Sequence, residues 1–248
     1  MRHKIKANKT KILAFLVLAI AIALVPMAQA AGAITLTPPT QGPGGAITVT
    51  GTGFGATKAV GIGFGAEVNA TGEAHTPTGT GTGPYTARTN HYPIKPGSFS
   101  MHSNVGGVES DWIDLGNGTI AAEGFAYAAP GFINYVTGEF GRSSTADLTG
   151  YEITFTVSYT YYTYNVTPTQ GVTTNSAGAF SASITLPSVA NGNYVVTAVD
   201  TAGNIATATL NVVPEGLTIG VMLVLSTTAV IVSRRYLGKI GIKRQQPS

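Results

Sequence analysis

Four oxygen-bearing side chains stand close together, Glu109, Asp111, Asp114 and Asn117. Carboxylates, amides and turn carbonyls at that density suit Ca²⁺, which takes roughly six to eight oxygen ligands. The same residues beside Gly116 and Gly118 also suit a tight hairpin, so a turn without an ion is the competing reading. Trp112 lies inside this cluster. With Tyr162 and Tyr164 it offers aromatic faces for stacking on sugar rings, against the alternative of core and cross-strand packing. Asn69, Asn117 and Asn165 each open an Asn-x-Thr sequence, the acceptor pattern for N-glycosylation.

Catalytic chemistry finds little material. His75, His91 and His102 fall within 28 positions, but no two have the i, i+2 or i, i+4 spacing that would pre-place metal ligands. No Gly-x-Ser-x-Gly elbow occurs. Gly51-Thr52-Gly53-Phe54-Gly55-Ala56 resembles a phosphate loop, yet Val60-Gly61-Ile62-Gly63-Phe64 then alternates as a strand where a nucleotide fold needs a helix. No catalytic or cofactor-binding residue emerges, and the chain reads as non-enzymatic.

The elements that must carry these residues are strands. Charged residues make up 10% of the chain, while Gly, Thr, Ala and Val are abundant. That composition favours short strands and tight turns over charged surface helices. The net charge of +3 comes from the two ends, since ten of the fourteen Lys and Arg residues lie between Arg2 and Lys11 or between Arg234 and Arg244. Between Ala31 and Val213, four basic residues face ten acidic ones. No basic stripe is left there for a nucleic acid backbone. The absence of cysteine excludes disulfides and thiolate metal sites, so stability must come from burial and strand pairing.

Short alternating stretches run from Ile34 to Phe54, broken by Pro38-Pro39 and Gly42-Pro43-Gly44-Gly45, and Val60, Ile62 and Phe64 continue on one face with Gly61 and Gly63 on the other. This start resembles an IPT/TIG or similar immunoglobulin-like domain. A matching end comes a hundred residues later. Phe180, Ala182 and Ile184 share one face, as do Tyr194, Val196 and Ala198, before a last strand to Val213. The resemblance implies one immunoglobulin-like β-sandwich in two parts, residues 31–65 and 166–214. Between them, residues 66–165 carry Tyr92-Pro93-Ile94-Lys95-Pro96-Gly97-Ser98, Asp114-Leu115-Gly116-Asn117-Gly118 and Ile133-Asn134-Tyr135-Val136-Thr137-Gly138. That pattern is similar to β-modules of phage tails and prokaryotic surface proteins. Its final strand is predicted over Tyr151–Tyr161, with aromatic and aliphatic residues at every odd position.

Residues 1–30 read as a secretory signal: a basic stretch to Lys11, an apolar run from Ile12 to Val25, then Ala28-Gln29-Ala30, with cleavage expected after Ala30. At the other end, 17 uncharged residues from Leu217 to Ser233 give about 26 Å of helix, near the thickness of a thin bilayer core. Residues 215–233 are therefore expected to span as a single transmembrane helix. The basic tail 234–248 is expected in the cytoplasm. Pro214-Glu215-Gly216, the apolar run and Arg234-Arg235 together resemble the sorting tails of archaeal surface proteins handled by archaeosortases.

The sequence thus predicts an all-β protein tethered by one helix, its bulk outside the cell. Its expected role is structural or adhesive, with envelope proteins or surface polysaccharides as partners and no nucleic acid. The alternative is a carbohydrate-binding module or an accessory part of an envelope enzyme.

Overall fold

The computed structural model describes residues 32–122, 131–144 and 146–214, and every regular element among them is a β-strand. The first seven strands are β1 (Ala33–Thr37), β2 (Thr40–Gln41), β3 (Ala46–Thr52), β4 (Ala59–His75), β5 (Tyr85–Arg88), β6 (Ser100–Val105) and β7 (Val108–Asp114). There follow β8 (Thr119–Ala122), β9 (Gly131–Ile133), β10 (Glu139–Arg142) and β11 (Ile153–Asn165). The last four are β12 (Val172–Thr173), β13 (Phe180–Thr185), β14 (Gly192–Asp200) and β15 (Ile205–Val212). The all-β expectation holds across the described residues. The expected signal segment and membrane helix, residues 1–30 and 215–233, lie outside them.

Two sheets form among the described residues. A small one has the order β1-β3-β13, and a large one runs β2-β15-β14-β4-β11-β6-β7-β8-β9-β10-β5, with β12 also on β4. The buried apolar residues fall into two clusters. The first joins Ile47, Val49, Ala182 and Ile184 of the small sheet to Val60, Ile62, Phe64, Val196 and Leu210 of the large one. Period-two alternation explains this, because every second side chain of β3 and β13 points to the facing layer. At one edge of this cluster Asp200 is fully buried, and its carboxylate accepts bonds from Gly55 N (2.7 Å), Ala202 N (2.9 Å), Asn204 N (2.9 Å) and Asn204 Nδ2 (2.8 Å). It ties the turn after β3 to the β14–β15 turn.

The second cluster gathers Ile94, Phe99, Met101, Trp112, Ile120, Tyr135, Phe140, Phe155 and Val157, together with Val199 from β14. It lies within the curl of the large sheet. The far edge strand β5 comes round to meet the chain leaving β4, through a single bridge in which Thr78 and Thr86 exchange backbone bonds of 2.9 and 2.8 Å. The circle stays unclosed beyond that bridge.

β4 serves both clusters. From Val60 to Gly65 every residue is buried. One face carries Val60, Ile62 and Phe64 into the first cluster, and the other has only Gly61 and Gly63. A Cβ on Gly61 would stand 2.9 Å from Pro93, and one on Gly63 would stand 2.5 Å from the Tyr162 ring. Pro93, from the connection between β4 and β11, therefore packs onto bare backbone at Gly61, and the Tyr162 ring of the paired strand β11 lies across Gly63. Further along, β4 carries extra residues relative to β11 at two register shifts, near Gly65 (φ 99°) and Gly72 (φ 71°).

Two substitutions test this packing. Gly63→Val forces a branched side chain into the Tyr162 ring, and the expected loss is about 1–3 kcal/mol in urea unfolding. Asp200→Ala leaves buried N–H groups without an acceptor, and about 3 kcal/mol or more should disappear. Unchanged midpoints for both variants would show that neither contact matters to the fold.

Candidate functional site

The β6–β7 hairpin separates the expected calcium ligands. Alternation along β7 puts Glu109 and Asp111 on the exposed face, where His102 meets them: Nδ1 lies 2.8 Å from Asp111 Oδ1, and Nε2 lies 3.9 Å from Glu109 Oε1. Asp114 points the other way. Its Oδ1 accepts from the Tyr135 hydroxyl (2.6 Å) and Gly116 N (2.8 Å), and its Oδ2 from Gly97 N (2.6 Å). Asn117 caps its own turn, with Oδ1 accepting from Thr119 N at 3.1 Å. The four residues do not converge, so the expectation of one oxygen cage is corrected. Among the described residues no group of three or more His, Asp or Glu side chains is arranged to hold a metal ion.

The stacking row is also corrected. Trp112 is 1% exposed and Tyr162 3% exposed, so neither offers a face to a ligand. The Trp112 indole donates toward Ser103 Oγ and Ser110 Oγ, each at 3.2 Å, beneath the Arg142 guanidinium 4.9 Å from its ring. Burial lowers the Arg142 pKa below its ordinary value. Tyr164 is the exposed member, and it leans on Phe64 with ring centroids 6.0 Å apart.

The three histidines stay apart in role. His91 stacks on Tyr161 at 4.2 Å, and His75 packs edge-on against Phe140 at 5.5 Å. Both flank a pair that sequence spacing does not reveal: the Tyr159 hydroxyl donates to the Glu73 carboxylate, whose oxygens lie 2.8 and 2.9 Å away. The same hydroxyl accepts from His91 N at 3.2 Å. Burial first, and then the neighbouring carboxylates, hold the Tyr135 and Tyr159 phenols well above their ordinary value of 10.0.

The three glycosylation asparagines are all exposed: Asn69 on β4, Asn117 in the β7–β8 turn and Asn165 at the end of β11. Asn165 Oδ1 accepts from Thr167 N at 3.0 Å, and Asn69 Oδ1 accepts from the Thr160 hydroxyl at 2.9 Å.

Motifs and spacing give no sign of one further feature. Where β5 parts from the chain leaving β4, a cleft of about 560 Å³ opens, lined by His75, Thr76, Arg88, Thr137 and Glu139 among others. Its residues come from three strands and two connections, so no local motif marks it.

No known protein family matches the chain, and no curated protein matches it significantly. A solved structure of AvmM, described as catalysing macrocyclization in alchivemycin A biosynthesis, is similar at 9% identity. The match covers 73% of this chain and 87% of that one, with a TM-score of 0.19, too low to bear on fold or activity.

The two held phenols give a pH prediction. Above pH 10 unfolded tyrosines release protons that Tyr135 and Tyr159 keep in the folded chain. Stability from this source is therefore complete below pH 10 and should fall as pH rises past it. Tyr159→Phe is expected to flatten the fall in melting temperature between pH 10 and about 12. An unchanged slope would mean that this phenol is not held protonated.

Proposed function

We propose that the chain is a non-enzymatic cell-surface protein, structural or adhesive, that displays its β-rich body outside the cell on a single C-terminal helix. The observation that carries this reading is the pairing of an all-β body with its flanks: a basic, apolar, small-residue segment ending at Ala30 before it, and an uncharged run followed by Arg234-Arg235 after it. Three of the body's carboxylates support it, since Asp114 and Asp200 are engaged in turns and Glu73 in a hydroxyl pair rather than beside a nucleophile.

In this reading the first cluster is the core of an immunoglobulin-like sandwich made by residues 31–65 and 166–214. Its support is the two-layer arrangement of β1-β3-β13 over β15-β14-β4. Residues 66–165 form the inserted module around the second cluster. The helix over 215–233 is retained, with the tail 234–248 in the cytoplasm, and exposed Asn69, Asn117 and Asn165 receive glycans. A second reading, a carbohydrate-binding module, draws on the polar cleft beside β5.

Protease shaving of intact cells, with mass spectrometry of the mature ends, tests the proposal. The expected result is a chain that begins at Ala31, loses its bulk to external protease, and keeps residues 234–248 with the membrane. A bulk protected from protease on intact cells sinks the proposal, whatever the state of the ends.

A further inference from the structure

We infer that the cleft at the unclosed seam of the curled sheet binds neutral, hydroxyl-rich ligands, namely saccharide units of an extracellular polymer. This deepens the proposed function and rests on its claim that the body faces outside. The geometry comes from an interrupted ladder. Thr78 and Thr86 exchange both backbone bonds, and an antiparallel ladder would next pair Thr76 with Arg88. That pair is not made. The two chain segments come together again where Glu73 Oε2 accepts from Asn90 N at 3.4 Å. The cavity of about 560 Å³ opens along this seam, a volume in the range of small-ligand sites.

The lining selects the ligand. Four of its residues are threonines, and the rest include a guanidinium, a carboxylate and an imidazole, with Ala87 as the aliphatic exception. Arg88 and Glu139 are direct cross-strand partners, yet no ion pair joins them. Arg88 instead donates through Nε to Thr137 O and lies 4.8 Å from the Tyr92 ring. Its terminal nitrogens and the Glu139 carboxylate remain as a donor fork and an acceptor pair. Sugar hydroxyls both donate and accept, and adjacent hydroxyls match such bidentate groups. Opposite charges side by side favour neither an anion nor a cation, and a lining without large aliphatic side chains gives an apolar ligand nothing to bury against. An extended peptide could pair with the open ladder, but within this cleft its side chains meet Ala87 as the one aliphatic group.

A second cavity of about 250 Å³ shares Thr76 and is lined by Leu148 and Tyr151. Tyr151 is 59% exposed. It supplies a ring face next to the polar cleft, so a chain of several sugar units fits better than a single one.

The test uses the full-length chain in detergent against arrayed neutral gluco-, manno- and chito-oligosaccharides, with an array of extended peptides beside them. The expected result is binding to at least one oligosaccharide class, stronger for longer chains. Glu139→Gln and Thr76→Val should each weaken it about tenfold, while Tyr164→Ala leaves it unchanged. Thr76 is exposed, so its variant keeps the test valid if Glu139→Gln disturbs the fold. Absence of oligosaccharide binding, capture of peptides instead, or full-strength sugar binding by both cleft variants overturns the inference. None of these outcomes touches the outward-facing topology, which protease shaving reads separately.

Discussion

The close approach of Pro93 and Tyr162 to the bare backbone of Gly61 and Gly63 is the contact on which the rest of the arrangement depends. A strand with side chains on both faces could serve one core here and keep other chain segments at a side chain's distance. With glycine at alternate positions, β4 presents Val60, Ile62 and Phe64 to one cluster and admits a second layer directly onto its other face. Glycine weakens a strand by its larger entropy loss, and burial on both faces offsets that cost. Val199, the β14 neighbour of Gly61, joins the second cluster from this same face.

The length of β4 and β11 carries that constraint outward. Register shifts near Gly65 and Gly72 add residues on β4, and the phase of burial along β11 changes with them. Ile153, Phe155, Val157 and Tyr159 are buried at odd positions, and then Tyr162 is buried at an even one. Bulges increase local twist, which suits a sheet that must curl around the second cluster. The curl brings β5 back to Thr78 but does not complete the ladder, and the polar cleft is the space left over.

Three of the scarce acids work inside this framework. Asp200 joins two turns of the first cluster, Asp114 collects the hydroxyl of Tyr135 and two turn amides, and Glu73 holds Tyr159. Each satisfies donors that burial would otherwise leave unpaired. Such carboxylates are committed to structure, whereas Arg88 and Glu139 line the cleft without forming an ion pair with each other.

Local patterning suffices for the strand class and for much of the strand placement. Alternation over Phe180–Ile184 and Ile153–Tyr159 is a property of neighbouring residues, because side chains two apart share a face whatever lies opposite. It also marks Gly61 and Gly63 as a face of their own, though not what covers them. Tyr151, read from the pattern as the first residue of its strand, stands exposed before β11 begins at Ile153. Which side chains meet is a matter for tertiary packing. For Trp112 and Tyr162 local pattern leaves stacking surface and core packing both open, and tertiary packing buries them. The cluster from Glu109 to Asn117 is dense in sequence and divided in space, since a strand sends neighbouring residues to opposite faces. Glu73 with Tyr159 and Asp200 with Gly55 are pairs 86 and 145 residues apart. The cleft beside β5 is equally non-local, because an interrupted ladder is a relation between strands and leaves no trace in either one alone.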